Sequence, residues 1–427
     1  MSFQQGLSGL GASAKQLDVI GNNVANASTV GFKASQAQFA DVYASSLSGG
    51  SGQQVGIGTQ VAAIAQHFSQ GNVTTSNNPL DVAINGKGFF RLSDNGTIVY
   101  SRNGQFQLDK NGYIVNSTGK NVTGYAAPGG VISTGSLVNL QIPATNLTPQ
   151  VTSTIGLGAN LDSRAAPVST ALFDPQVSTS YTNSTAMTVY DALGNQQTLG
   201  MYFAKTASNT WNVYGTLTNP SGQTTVLGAS VAGTPTPEPI TGSVTALGTL
   251  AFSASSGALT SSSVALPTLT SAMLGTGAAS IAAITPTFTG TTQYGSSFGV
   301  SSLAQNGYAS GRPTGFSIGA DGVIQGRYSN GQSLTLGQIV LDDFRNPNGL
   351  QPLGNNLWAE TSASGAPLPG TPNTASLGVL QASAVEDSNV DLTQELVNMI
   401  TAQRSYQANA QTIKTQDQVL QTLVNLR

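Results

Sequence analysis

The chain has 427 residues, of which 8% are charged and none is Cys, and its formal net charge is -3. This length is enough for about two to four domains, and the lack of Cys excludes disulfides, zinc–thiolate sites and thiol nucleophiles. Scattered Lys and Arg exclude a basic face for nucleic acid, and no apolar run reaches the roughly 18 residues that a membrane span needs.

We expect no cleaved secretion signal in the first residues. A basic segment followed by an apolar segment and a small-residue cleavage site is missing from the N-terminus. The low charge and the abundance of Gly, Ser and Thr are nevertheless typical of extracellular proteins. We therefore expect export by a route that needs no cleaved signal peptide.

An apolar stripe predicts an amphipathic helix at the N-terminus. The spacing alternates between four and three residues, along Phe3, Leu7, Leu10, Ala14, Leu17, Gly21 and Val24. Such a stripe needs a helical partner. We expect the helix to end between Ile20 and Asn23, because Gly and Asn are poor helix formers and good C-terminal caps.

The segment that follows gives weaker signals. Residues 32–43 are compatible with a short helix or a strand, and residues 47–58 have the Gly and Ser content of a loop. We interpret residues 31–71 as a connection between the terminal helix and the next domain.

Two blocks of β-hairpin chemistry lie on either side of residues 148–300. The first has strand candidates at 80–84, 89–92, 97–100, 106–108 and 113–115, separated by Asn-Gly pairs at 85–86, 95–96, 103–104 and 111–112. Asn-Gly supplies the positive φ angles of tight hairpins. Because similar pairs recur only after residue 305, we predict one β domain, residues 72–147 with 301–384, split by an insertion.

The insertion, residues 148–300, is rich in Thr, Ser, Ala and Gly, and Glu238 is its only charge after Lys205. Disorder is one interpretation, since polar low-complexity segments bury little. We favour an all-β domain instead. Strand candidates at 186–190, 198–204 and 211–217 carry the aromatic and apolar side chains of a core, namely Met201, Tyr202, Phe203 and Trp211.

A second apolar stripe predicts a long C-terminal helix, from Leu392 to Arg427. Asp391 is placed to cap it, with Gln394 completing a capping pattern, and no Gly or Pro follows. At 1.5 Å per residue this helix is about 54 Å long. The apolar residues predicted to mediate self-assembly through the two stripes are Phe3, Leu7, Leu10, Leu17, Val24, Leu392, Leu396, Met399, Tyr406, Ile413, Leu420 and Val424.

Three arrangements of these terminal helices stay open. They pair with each other inside one chain, they pair with copies from other chains, or they do both. An intermolecular role is favoured because the C-terminal helix is too long to be covered by the N-terminal one. Polar residues in its stripe, Gln403 and Asp417, also suit the register of a larger assembly better than a private core.

Motifs of catalysis lack the residues that they need. Two G-x-S-x-G matches centre on Ser297 and Ser317, but no helix pattern follows either, and the sole His, His67, precedes both. Lys120 lacks the flanking residues of a phosphate-binding loop. A single imidazole and dispersed carboxylates do not favour a metal site. We expect no enzyme activity and no cofactor.

Specific segments resemble the bacterial flagellar rod and hook proteins. The N-terminal signature is Leu17–Asn26 with Val30–Lys33, and the C-terminal one is Ser388–Val397 with Gln403–Asn409 and Lys414-Thr415. Residues 80–84, 88–90 and 101–106 are similar to the same family. The resemblance covers about two thirds of the chain. The large insertion in this chain favours a hook subunit over a rod subunit.

The resemblance implies an α+β fold with a coiled-coil inner domain, residues 1–30 with 385–427, and two mainly-β outer domains, the second inserted in the first. It implies a structural subunit of a curved helical tube, a flexible joint that transmits motor torque. Partners would be further copies, the distal rod, the hook cap, the hook-filament junction proteins and the export apparatus. The alternative is a distal rod or hook-filament junction protein.

Overall fold

The structure is a computed structural model that describes residues 2–42, 56–168, 173–228 and 244–425. The fold is α+β, as predicted, with long helices at both ends and strands between them. The chain divides into two compact units. The first contains Met1–Ala144, Thr314–Arg327 and Ser333–Arg427, and the second contains Thr145–Pro313 and Tyr328–Gln332.

The helices and strands of the described residues, apart from short 3-10 turns, fall into three stretches of the chain. The first part of the chain forms α1 Ser2–Ala25, β1 Ser35–Val42, β2 Gly58–Gln66, β3 Val73–Thr75, β4 Val82–Asn85, β5 Phe89–Asp94, β6 Thr97–Ser101, β7 Phe106–Leu108, β8 Ile114–Asn116, β9 Asn121–Ala126 and β10 Leu137–Asn139. The middle forms β11 Ile155–Asn160, β12 Asn183–Tyr190, β13 Gln196–Ala207, β14 Thr210–Thr218, β15 Thr224–Leu227, β16 Gly248–Phe252, β17 Leu259–Ser262, α2 Ser271–Leu274 and β18 Gly299–Gln305. The last part forms β19 Pro313–Ile318, β20 Val323–Tyr328, β21 Ser333–Ile339, β22 Leu341–Asp343, β23 Gln351–Gly354, β24 Leu357–Ala359, β25 Leu368–Gly370, β26 Val379–Ala382, β27 Ala384–Glu386 and α3 Leu392–Asn425.

Helix α1 continues past the end that the sequence predicts for it. It runs to Ala25, beyond the Gly and Asn residues that were expected to stop it. Asn23 does not cap the helix, because its buried side chain donates to Ser35 O (2.8 Å) and accepts from Ser35 N (2.9 Å). Tertiary contacts therefore override the weak helix propensity of these residues.

The predicted connecting segment contains an antiparallel strand pair. The sequence leaves helix and strand open for residues 32–43. Of these, Ser35–Val42 form strand β1, which pairs with β2 along its length. Gln5 donates to Gly56 O at 2.6 Å and Thr59 N donates to Ser8 Oγ at 3.3 Å, which fixes the pair to α1. Strand β2 was missed because it is mostly exposed and shows no apolar alternation. Most of the predicted 47–58 loop lies outside the described residues.

The main sheet of the first unit joins strands from both halves of the chain. Strand β5 pairs with β22, β6 with β24 and β9 with β21, all antiparallel. Two smaller sheets do the same, β4 with β26 and β3 with β27. These partners lie more than 200 residues apart in the sequence. The strands after β18 therefore pair with the early strands of the first unit before the chain reaches α3.

Two of the predicted Asn-Gly hairpins are wrong. Asn95 and Gly96 have φ of 51° and 98° and join the paired strands β5 and β6, as expected. The pairs at 85–86 and 103–104 join strands that are not neighbours, because β4 pairs with β26 and β7 pairs with β8. A turn signal specifies a local reversal but not which distant strand completes the sheet.

The second unit is built on a sheet with strand order β12-β13-β14-β16-β17, and β15 also pairs with β14. The three predicted strands are confirmed within β12, β13 and β14. Met201, Phe203 and Trp211 are buried in its core, as expected. Tyr202 points to the opposite face, where it packs against Phe173, as the alternation of a strand requires.

Asp191 is a buried anchor of the second unit. It accepts hydrogen bonds from Leu193 N (2.9 Å), Asn195 N (2.9 Å) and Thr276 Oγ1 (2.6 Å). Burial acts to raise the pKa of Asp191, but the hydrogen bonds from Thr276, Asn195 and Leu193 outweigh it and bring the pKa below its ordinary value. A carboxyl whose pKa is lower in the folded than in the unfolded state stabilises the fold at pH values above its unfolded-state pKa. This contribution is lost as the pH falls through its folded-state pKa.

We therefore expect Asp191→Asn to lower the free energy of unfolding of the second unit by about 1–3 kcal/mol at pH 7. The deficit relative to the unsubstituted chain should shrink as the pH falls below the ordinary pKa of a carboxyl group. Urea denaturation at pH 7 and at acid pH measures both effects. Asp174→Asn is the matched control. Among the described hydrogen bonds, the carboxylate of Asp174 accepts only one, from Gln176 N. A deficit that does not change with pH would contradict the assigned role.

Candidate self-assembly surface of the terminal helices

Helices α1 and α3 pack against each other in an antiparallel pair inside one chain. Gly6 faces Ile413 and Gly9 faces Asn409, so the start of α1 lies beside the later turns of α3. A Cβ on Gly9 would lie only 2.8 Å from Asn409 Nδ2. Small residues therefore let the two helix backbones approach, with Ser13 and Ala402 buried further along the seam.

Ile413 of the predicted apolar stripes faces Gly6 in this seam, but other stripe residues are left exposed. Leu7 is 55% exposed and Leu396 is 46% exposed. The stripe residues that stay exposed are Phe3, Leu7, Leu392, Leu396, Tyr406 and Leu420. Those that are half-buried are Leu10, Leu17, Val24, Met399 and Ile413. The side chain of Val424 lies outside the described residues.

The expected polar stripe positions behave in the same way. Gln403 and Asp417 are exposed on α3. The structure thus pairs the terminal helices within the chain and leaves exposed six of the eleven predicted contact residues whose side chains it describes. Their role in contacts between copies stays a prediction.

Further apolar residues of α3 were missed by the stripe. Val397, Ile400 and Val419 are about as exposed as the stripe residues. Val397 and Ile400 directly follow stripe positions, and Val419 directly precedes one, so together they widen the apolar surface of α3. Counting apolar residues on all sides of the helix, and not along one spacing, is the signal that would have found them.

A buried cluster of charges joins the segment after α1, the residue after β6 and strand β27. Glu386 Oε1 lies 2.7 Å from Lys33 Nζ, and Glu386 Oε2 lies 2.8 Å from an Arg102 guanidinium nitrogen. The Lys33 and Glu386 side chains are fully buried and Arg102 nearly so. Burial lowers the pKa of Lys33, Arg102 lowers it further, and Glu386 opposes both. The chain before α3 is thereby joined to the chain after α1.

The backbone around this cluster is also bonded to it. Lys33 Nζ donates to Ser69 O at 2.7 Å, and Gly71 N donates to Glu386 Oε1 at 2.9 Å. Arg102 Nη1 donates to the carbonyls of Gly86 and Gly88. Since each cation has several acceptors, the cluster offsets part of the cost of burying charge.

Asn389 makes a second bridge between the chain ends. Its Oδ1 accepts from Ala34 N at 2.7 Å, and its Nδ2 donates to His67 O (2.8 Å) and Ser69 O (3.2 Å). Asn389 therefore holds the start of α3 against the segment after α1. Lys33, Arg102 and Asn389 all lie in the segments that resemble rod and hook proteins, so these motifs have a structural reason.

The start of α3 has the predicted cap, although one partner behaves differently. Asp391 Oδ1 accepts from Thr393 N (2.9 Å) and Gln394 N (3.1 Å). Gln394 donates its side-chain amide to Asn398 at 3.1 Å and has no described bond back to Asp391. Asp391 alone therefore caps the helix.

The residues considered for catalysis form no constellation. His67 Nε2 lies 3.0 Å from Gln36 Oε1, in the strand pair beside α1. Ser317 lies in strand β19 and Ser297 in the second unit, neither at a strand-to-helix turn. Within the described ranges no three His, Asp or Glu side chains gather as metal ligands, and no helix has the length and apolarity to cross a membrane.

Four parts of the chain match flagellar protein families. Residues 3–33 match the family described as Flagella basal body rod protein, and residues 381–426 match Flagellar basal body rod FlgEFG protein C-terminal. Residues 83–156 match Flagellar hook protein FlgE/F/G D1 domain, and residues 160–308 match Flagellar basal body protein FlaE D2 domain. With the fold, these matches place the chain in the class of flagellar rod and hook proteins.

Full-length relatives narrow this class. The chain is 43% identical to "Flagellar hook protein FlgE" of Escherichia coli strain K12, over the whole of both chains. It is 32% identical to "Flagellar hook protein FlgE" of Borreliella burgdorferi, covering all of this chain and 99% of the relative. The chain belongs to the flagellar hook protein FlgE family.

A solved structure shares the fold. The crystal structure of Helicobacter pylori flagellar hook protein FlgE2 superposes with a TM-score of 0.54 at 16% identity, covering 73% of this chain and 100% of the other.

Proposed function

We propose that this chain polymerises through its terminal helices into the tube of the flagellar hook. The observation that carries the proposal is the apolar surface left exposed beside the α1–α3 seam, above all Leu7 and Leu396. Burying one Leu side chain contributes about 1.5–3 kcal/mol. An exposed apolar surface of this kind is typical of a protein contact, and copies of the same chain supply the matching helices.

Each subunit of the proposed polymer has three domains and one connecting segment. The helical inner domain is residues 1–30 with 385–427, and residues 31–71 connect it to the split β domain of 72–147 with 301–384. Residues 148–300 form the inserted domain. Antiparallel pairing of α1 with α3, and the sheets of the first unit that join early and late strands, support this division.

The proposed mechanism is mechanical. Apolar helix contacts transmit torque from the motor, because they resist separation along the whole tube. Outer contacts slide as a curved tube turns about its own axis, and a chain with 8% charged residues offers few fixed ion pairs to break. The partners we propose are further copies of this chain, the distal rod, the hook cap, the hook-filament junction proteins and the export apparatus. The proposed location is outside the cell.

The test is polymerisation of the double variant Leu7→Gln/Leu396→Gln. We expect a soluble, folded subunit whose critical concentration for tube formation rises at least about tenfold, or about 1.4 kcal/mol. Sedimentation measures the polymer, and circular dichroism measures the fold. Leu193→Gln, at an exposed Leu in the second unit, is the control and should polymerise normally. Normal tubes from the double variant would sink the proposal.

A further inference from the structure

A cavity of about 630 Å³ opens in the first unit, and none of its lining residues lies in α1 or α3. This volume lies in the usual range of ligand pockets, about 300–1,000 Å³. Its apolar wall is made by Phe68, Phe89 and Phe344, whose rings meet edge to face at centroid distances of 5.4 Å and 5.8 Å. The rings are part of an aromatic cluster that also contains Tyr100 and Trp358.

Positive charge surrounds this apolar wall. Arg102 lines the cavity with only 4% of its side chain exposed, and its one carboxylate partner among the described ion pairs, Glu386, is shared with Lys33. Two buried cations thus face one buried anion, which leaves a net positive charge beside the cavity. Such a charge in an apolar site is costly unless an anion approaches it.

The rim adds further cations. Lys87 and Arg345 line the cavity and are exposed, and neither forms an ion pair with any carboxylate in the described part of the chain. The lining contains one acid, Asp343, whose two oxygens already accept from Phe344 N (2.9 Å) and Ser376 Oγ (2.8 Å). Cations therefore outnumber acids at the opening.

We propose that this cavity binds an organic carboxylate with an apolar body. The apolar part packs on the three Phe rings, and the carboxylate lies among Lys87, Arg102 and Arg345. A guanidinium pairs with a carboxylate through two parallel hydrogen bonds, which gives this chemistry its preference over a neutral ligand. The carboxylate comes either from a free small acid or from an acidic side chain of a second copy of this chain.

The cavity has a built-in reporter for the test. The chain has two Trp residues, and Trp358 packs on Phe68 and Phe89 at 5.7 Å and 5.8 Å. In a Trp211→Phe background, Trp358 fluorescence is titrated with 3-phenylpropionate and with its neutral analogue 3-phenylpropan-1-ol, below the polymerisation concentration. We expect a saturable change with the acid and binding at least about tenfold weaker with the alcohol. Calorimetry on the unsubstituted chain gives the same comparison if the Trp211 variant does not fold.

The variant Lys87→Gln/Arg345→Gln should weaken binding of 3-phenylpropionate by about tenfold or more, because it removes both rim charges. The control Lys110→Gln/Arg327→Gln removes the same charge at exposed positions outside the cavity lining and should bind normally. No saturable binding, equal binding of the alcohol, or equal binding by the rim variant would each overturn the proposal.

Assembled tubes distinguish the two sources of the carboxylate. If a second copy supplies it, polymer takes up no 3-phenylpropionate, and the rim variant needs a higher concentration to polymerise. If the ligand is a free acid, polymer and subunit bind it equally. Binding to the subunit is measured without any polymer, so the site and the proposed assembly surface are tested separately.

Discussion

Replacing Glu386 by Gln lowers the free energy of unfolding of the first unit by about 3–5 kcal/mol, the cost of breaking a buried ion pair from one side. The substitution keeps the shape of the side chain but removes its charge. In the unsubstituted chain Glu386 lies within 2.8 Å of both Lys33 and Arg102. In the variant these two cations have no carboxylate partner. Thermal or urea unfolding, followed by near-ultraviolet circular dichroism, measures the loss.

The matched control is a salt bridge on the surface. Lys15 and Asp18 lie 3.2 Å apart on α1 with side chains 61% and 67% exposed. Asp18→Asn should cost well under about 1 kcal/mol, because solvent screens an exposed pair. Similar losses from Glu386→Gln and Asp18→Asn would mean that the buried cluster does not hold the chain ends together.

Gly104→Ala has the second largest expected effect, a loss of about 3 kcal/mol. A Cβ at this position would lie 1.7 Å from Val82 O and 2.9 Å from the ring of Phe90. The first contact is with backbone that is itself held in place, since Val82 N donates to Gly104 O at 2.9 Å. The strand segment therefore has to move, and the sheet core moves with it.

The prediction for Gly104 has a clean comparison in the same unit. Gly135 has no atom within 4 Å of its ideal Cβ and no positive φ, so Gly135→Ala should change stability by less than about 0.5 kcal/mol. Both variants are measured by urea denaturation of the full chain. A Gly104→Ala variant with unchanged stability would show that the backbone at Val82 can move away at little cost in free energy.

Gly104 also shows where sequence reasoning succeeds and where it stops. The Asn-Gly pair at 103–104 was interpreted as a positive-φ turn, but Gly104 has no positive φ and is needed for space. The Asn-Gly pattern correctly indicates that glycine is needed at position 104. The reason is the close approach of strand β4, and not a turn. The Asn95-Gly96 hairpin was predicted correctly because everything that determines it is local.

The terminal helices follow the same rule. Asp391 was identified as the cap of α3, since capping depends on three neighbouring residues. The face that α1 presents to α3 was not identified, because it is made of Gly6, Gly9 and Ser13, which carry no apolar signal. Lys33 and Glu386 are 353 residues apart, and a single sequence holds no sign of their pairing.

The joining of early and late strands in one sheet has a consequence for the order in which the chain folds. Strands β5, β6 and β9 acquire their partners β22, β24 and β21 only when the last third of the polypeptide is present. Pairing across such long sequence separations gives a high contact order and slow folding. A chain that emerges N-terminus first from the ribosome therefore keeps its first unit incomplete until its C-terminal end is released.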